Sequence, residues 1–263
     1  MRRLFASIIS GWNGAIMKHS EEVPLTEEEI NNLMSICKDT EAKNHLEKSI
    51  ETFRKGEKLE KVYGATLMTF VRTDSYWFAF HIGDGKLVSL NFEETPIWKE
   101  PVPWDDKCFL NKTTSICDED AIDEFRYCYE GDGKFHCAVF LGSDGLDDSL
   151  PPIEKLADFY IKVAKSFCVS GIEETNQELV SSLPELSRSG SKEDMSLAYV
   201  VDLEVLKDNF DKLISCQKEW RLSMIEEKKS ELEGKARLID GIIERLKSVS
   251  YDNKEIDDEL ESI

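Results

Sequence analysis

Leu4, Phe5, Ile8, Ile9, Trp12 and Ile16 recur three and four residues apart near the start of the chain. That spacing predicts an amphipathic helix with one apolar face, packed on a sheet. Ser, Gly, Trp and Asn break the run and no small-residue cleavage pattern follows, so it does not read as a signal peptide. Nothing in the chain approaches the roughly 20 apolar residues of a membrane span. Thr26 with Glu29 makes a Thr-x-x-Glu capping box, which predicts a helix near 27–37. A further helix is predicted over 41–56, with Leu46, Ile50 and Phe53 on one side.

The period then changes. YGATLMTFV at 63–71 and SYWFAFHI at 75–82 read as two strands of a hairpin around Arg72-Thr73-Asp74. Asp84-Gly85 predicts a second tight hairpin turn. CAVFLG at 137–142 reads as a buried strand. Helices are predicted over 151–169 and 172–183, the second stopping near Pro184. A last strand is predicted over about 194–202. Five or so strands with helices outside them predict a layered α+β domain.

Beyond residue 202 the pattern is helical throughout. Leu203, Leu206, Phe210, Leu213, Gln217, Trp220 and Met224 form one frame of alternating three- and four-residue steps. Ile225, Lys228, Leu232, Lys235, Ile239, Ile242, Leu246 and Val249 form a second, slipped by one residue. A single helix over 203–249 would extend about 70 Å at 1.5 Å per residue. A globule of about 200 residues has a radius of gyration near 16 Å. The helix must therefore project, or bend near Glu233-Gly234. It either packs on its own domain or makes a coiled-coil contact with a partner helix or a second copy. The final 14 residues carry six acids and one lysine and read as a solvated tail. The expected division is a domain over 1–202 and a helical extension with an acidic tail over 203–263.

Composition narrows the function. Of 263 residues, 41% are hydrophobic and 10% aromatic, enough for a packed core. The net charge of −20 opposes nucleic-acid binding, which needs clustered Lys and Arg. It also repels phosphorylated substrates unless cations intervene. The seven cysteines (37, 108, 117, 128, 137, 168 and 216) contain no C-x-x-C pair. They read as reduced thiols of a cytoplasmic protein, with Cys137 and Cys168 in the core.

Candidate chemistry lies in three acidic clusters: HIGDGK at 81–86, LGSDGLDDSL at 141–150 and GSKEDMSLAYVVD at 190–202. Each places carboxylates at the end of a strand-like run. Carboxylates distant in sequence can converge there on one hard cation, and an oxygen-only set suits Mg²⁺ or Mn²⁺ rather than zinc. Other candidates are weaker. His81 reads as a core histidine; His19, His45 and His136 have no nucleophile at triad spacing. GDGK at 83–86 lacks the glycine spacing and the Ser/Thr of a phosphate loop.

These clusters, in this order, resemble the metal-dependent serine/threonine phosphatases of the protein phosphatase 2C family. YGATLMTF at 63–70 is similar to its Gly-small-Thr strand, and WFAFHIGDGKLV at 77–88 to the hairpin that follows. GSDGLDD at 142–148 is similar to its Ser-Asp-Gly motif, and KEDMSLAYV at 192–200 to its Asp-Asn-x-Ser strand. PWDDKCFLNKTTSICD at 103–118 is similar to a bacterial subgroup. The resemblance spans about 1–202 and implies a β-sandwich flanked by helices. It also implies two Mg²⁺ or Mn²⁺ ions that activate water against a phosphoprotein. By position, Asp144 and Glu193 would ligate one ion of the pair, while Asp84 and Asp148 would hold a weaker third. Glu193 stands in the place of the family's aspartate, and Asp194 in that of its asparagine. No Asp-Gly pair precedes Asp84, so the family's upstream Asp-Gly motif has no counterpart here. The expectation is the C-terminal portion of such a domain, with impaired hydrolysis or a binding role through the terminal helix.

Overall fold

The computed structural model describes residues 1–247 apart from 25, 56–60, 62, 94–95, 109–112, 132–134, 136 and 152. His136, Val249 and the acidic tail thus lie outside the described residues. Three helices open the chain: α1 (Arg2–Glu22), α2 (Glu27–Ile36) and α3 (Thr40–Lys55). The capping box at α2 forms as the sequence predicts. Thr26 accepts from the Glu29 amide, and the Glu29 carboxylate takes the Thr26 amide at 2.8 Å.

Seven strands follow among the described residues: β1 (Leu67–Arg72), β2 (Trp77–Ile82), β3 (Lys86–Phe92), β4 (Pro96–Lys99), β5 (Arg126–Glu130), β6 (Ala138–Gly142) and β7 (Leu197–Val201). They form two sheets, ordered β1-β2-β5 and β4-β3-β6-β7. Every pairing is antiparallel.

The layers follow from period-two alternation along the strands. Trp77 and Ala79 of β2 share a buried cluster with Leu87 of β3 and with Val139 and Leu141 of β6, which fills the space between the sheets. The alternate residues point outward. Phe80 and Ile82 pack with Phe5 of α1 and with Phe125. Val88, Leu90, Ala138 and Phe140 pack beneath α6 (Ile153–Val169) and α7 (Ile172–Ser189), through Leu156, Tyr160, Phe167 and Leu179. Helix, sheet, sheet and helix layers make this an α+β sandwich, as the sequence predicts. Two short helices complete it: α4 (Ala121–Glu124) and α5 (Asp144–Ser149).

Four expectations are corrected. Asp84-Gly85 does not close a hairpin, because β2 and β3 belong to different sheets. Gly83 instead adopts φ +113 and carries the chain from one layer to the other. Strands β4 and β5 were not foreseen. Residue Pro184 lies inside α7, which continues to Ser189 and ends at Gly190. The carbonyl deprived of its donor belongs to Val180, which is 75% exposed, so water can satisfy it. The terminal helix is two helices, α8 (Leu203–Asp208) and α9 (Phe210–Lys247), broken at Asn209 rather than at Gly234. Both the amide and the side-chain amide of Asn209 bond back to the Val205 carbonyl and close off α8.

The first apolar frame packs on the chain's own core. Leu206 and Leu213 are fully buried with α6 and α7, and Trp220 packs beside them. The single polar member, Gln217, is buried and satisfied: it donates to Asp158 Oδ1 at 2.7 Å and accepts from Lys165 at 3.0 Å. The second frame is otherwise placed. Ile225, Leu232, Ile239 and Leu246 are exposed, whereas Ile242 is buried. All seven cysteines are free; Cys137 is buried and Cys168 half-buried. No described helix is long and apolar enough to cross a membrane.

Candidate active site

Register brings the three acidic clusters to one end of the four-stranded sheet. Lys86 of β3 lies opposite Gly142 of β6, and Gly142 lies opposite Leu197 of β7. Asp84 is two residues before the first of these, Asp144 two after the second, and Glu193 four before the third. All three therefore leave the sheet at the same end of its strands.

Each segment is tied in place by its neighbours. The Gly83 amide donates to Thr114 Oγ1 at 3.1 Å, and Thr114 donates to Asp105 Oδ2 at 2.9 Å. Arg126 donates to the Gly83 carbonyl at 2.6 Å and to the Pro103 carbonyl at 2.8 Å, with its Nε 3.7 Å from Asp105. Pro103, the buried Asp105 and the buried Thr114 thus brace the Asp84 turn. A Cβ at Gly83 would stand 2.4 Å from the Thr66 side chain, so the crossover admits only glycine.

On the other side, Ser143 Oγ donates to the Asp194 carbonyl at 3.3 Å and accepts the Ser196 amide at 3.0 Å. A Cβ at Gly145 would lie 2.7 Å from the Asp194 carbonyl, so the Ser-Asp-Gly turn packs directly on residues 193–194. Ser191 donates to the Gly145 carbonyl at 3.0 Å, and Ser187 to the Glu193 carbonyl at 2.6 Å. These serines hold the loop from which Glu193 projects.

The electrostatics show which carboxylates face one another. Glu193 is pushed above the usual carboxylate range by Asp144, by some burial, and by Asp148 and Asp84. Asp148 is raised by burial and then by Asp147, Asp144 and Asp84, with Lys86 opposing. Asp84, Asp144, Asp148 and Glu193 therefore form one acidic field. The Asp194 carbonyl serves the Ser143 turn, and the residue is exposed. Lys86 enters the same end and pairs with Asp147 at 2.8 Å. His81 is buried, and loss of hydration with Arg126 nearby holds it neutral, its pKa down at about 3. That removes it as a base.

A model of the protein phosphatase 2C family matches residues 6–183. The chain belongs to the protein phosphatase 2C family. No curated protein and no solved structure matches it. The matched span takes in the Asp84 and Asp144 clusters and ends before the Glu193 loop.

Phosphatase 2C chemistry suggests a test of this site against Mg²⁺ or Mn²⁺. By donor type and charge the residues fit a hard cation. They offer oxygens only, and their mutual repulsion leaves negative charge that a cation would relieve. By geometry they do not form a closed cage: among the described residues, no three His, Cys, Asp or Glu side chains are placed to hold one ion.

Sequence reasoning missed several residues here. Lys86 and Asp147 were within quoted motifs without a role. Arg126, Thr114, Ser143 and Ser191 act on residues 31 to 51 positions away, while Thr114 also reaches Asp105 at nine positions and Ser187 reaches Glu193 at six; no local pattern reveals these pairings.

Proposed function

We propose that the chain is a phosphatase-type hydrolase acting on phosphomonoesters of protein serine or threonine, with low turnover as it stands. The acidic field of Asp84, Asp144, Asp148 and Glu193 carries the reading. Mg²⁺ or Mn²⁺ would be held weakly there, chiefly by Asp144 and Glu193, with Asp84 and Asp148 adding charge and Asp194 as an alternate donor. When bound, such ions supply an activated water and neutralise phosphate charge. The protein's own part is to fix the carboxylates through the Thr114–Asp105–Arg126 strap and the serine-tied loop. An acidic chain of net charge −20 needs that cation to admit a phosphorylated substrate at all.

The domain reading is a phosphatase unit over 1–202 and a helical extension over 203–263, docked by Leu206 and Leu213. The extension would meet a partner helix or a second copy. The reading places the protein in the cytoplasm and assigns it no nucleic-acid or membrane partner.

A second reading is favoured by two observations: among the described residues no three carboxylates are placed to hold one ion, and Lys86 holds Asp147. It makes the chain an inactive relative that acts as a binding module through its terminal helix. Hydrolysis of p-nitrophenyl phosphate across a Mn²⁺ titration separates the two. Turnover that requires Mn²⁺ and disappears in Asp144→Ala supports the enzyme. Folded protein with no Mn²⁺-dependent turnover supports the module.

A further inference from the structure

Beyond Trp220, α9 carries an apolar seam that stays exposed along its length, although Ile242 at its flank is buried. Leu222, Ile225, Leu232, Ile239, Ile243 and Leu246 are each 40–65% exposed. With the exposed Lys229 and Ala236, their positions step three and four residues apart without a break: 222, 225, 229, 232, 236, 239, 243, 246. This is a heptad seam with Leu222, Lys229, Ala236 and Ile243 at one core position and Ile225, Leu232, Ile239 and Leu246 at the other. It shares only part of the frame read from the sequence, in which Lys228, Lys235 and Ile242 lay on the seam. Those three now flank it. The seam runs about 36 Å at 1.5 Å per residue.

The flanking charges select the occupant. Lys228 and Lys235 line one side; Glu233 and Asp240 line the other. In a parallel, in-register pair, each basic flanking residue meets the acidic one five positions later on the other chain. Lys228 then faces the second copy's Glu233, and Lys235 its Asp240, in both directions. An antiparallel pair would set lysine against lysine and carboxylate against carboxylate. Arg221 and Glu226 have the same relation, but Arg221 is already held by Asp158 at 2.9 Å. Within the chain, Lys228 pairs with Glu231 and Lys229 with Glu233, which are exposed contacts of low worth and easily exchanged. The lone Lys229 inside the seam is a device that fixes register and strand number at some cost in affinity.

We infer that this chain self-associates as a parallel, two-stranded coiled coil through residues 222–246 of α9. The inference sharpens the contact through the extension proposed above, and its test reads mass rather than turnover, so it stands or falls apart from phosphatase activity.

Sedimentation of the full-length chain at rising concentration should show a dimer by the high-micromolar range that dissociates on dilution. Leu232→Asp with Ile239→Asp should give a monomer whose circular dichroism and melting still report a folded domain. Lys228→Glu with Lys235→Glu should weaken the dimer about tenfold or more by turning attraction into repulsion. The same loss should follow Glu233→Lys with Asp240→Lys. An equimolar mixture of those two charge variants should regain the dimer. A full-length chain that stays monomeric, a dimer that survives the paired Asp substitutions, or charge variants that each dimerise as well as the parent would each overturn the inference.

Discussion

Lys86 Nζ sits 2.8 Å from Asp147 Oδ2, at the end of the sheet where Asp84, Asp144, Asp148 and Glu193 gather. A cation from the protein's own sequence thus occupies part of the acidic field. It lowers Asp148 while every neighbouring carboxylate raises it. Lys86→Met should therefore bind Mn²⁺ more tightly, by about two- to fivefold, the factor given by the 0.5–1 kcal/mol of a modest ion pair. Isothermal titration of Mn²⁺ into both proteins checks this. Equal or weaker binding by the variant would show that Lys86 does not compete with the metal.

Crowded carboxylates work against folding. Asp148 has a folded-state pKa above its unfolded value, so the unfolded chain gives up this proton first as pH rises. Below the unfolded value both states hold the proton and the group contributes nothing; above it, the folded state is penalised. Asp148→Asn should stabilise the metal-free protein at pH 7 by about 0.5 kcal/mol after allowance for solvent screening. The gain should vanish by pH 3. Urea unfolding at the two pH values tests it, and a loss of stability at pH 7 would contradict it.

The Gly83 crossover is a point of steric necessity. Gly83→Ala places a Cβ 2.4 Å from Thr66 at φ +113. Left-handed strain and overlap together should cost about 3 kcal/mol or more. Asp105→Asn, which leaves the half-buried Arg126 with a weaker partner, should cost about 1–3 kcal/mol. Differential scanning calorimetry measures both. A melting temperature within error of the parent for Gly83→Ala would mean that the chain crosses between the sheets differently.

Asp158 anchors α9. Burial would raise its pKa, but hydrogen bonds from Arg221, Lys162 and Gln217 prevail and bring it down to about 2. The folded value is depressed, so the stabilisation is full above pH about 4 and is lost as pH falls through about 2. Asp158→Asn should cost about 1–2 kcal/mol at neutral pH, and the difference from the parent should close as pH drops through that window. Chemical denaturation monitored by far-ultraviolet circular dichroism at a series of pH values reads this out.

Local patterns in the sequence disclosed most of the elements. The capping box placed α2, and the apolar runs SYWFAFHI and CAVFLG placed β2 and β6. Three features escaped for physical reasons. Asp84-Gly85 has hairpin chemistry, but the choice between pairing and crossing is made by Thr66 and Arg126, which are remote in sequence. Pro184 frees the carbonyl of Val180, which faces water here, and that exposure is a tertiary fact. Strand β5 alternates the wrong way round: its tyrosines, Tyr127 and Tyr129, are exposed, while Arg126 and Cys128 turn inward. At the candidate site, the motifs identified which carboxylates gather at one end of the sheet. The tethers that position them were invisible, because each joins residues 6 to 53 positions apart.

The crossover at Gly83 has a mechanical consequence. Asp84 hangs from the junction of the two layers, whereas Asp144 and Glu193 belong wholly to the four-stranded one. Any sliding of one sheet over the other displaces Asp84 against its two companions. A load applied to α1, which rides on the outer face of the three-stranded layer, is thus transmitted to the spacing of the acidic groups.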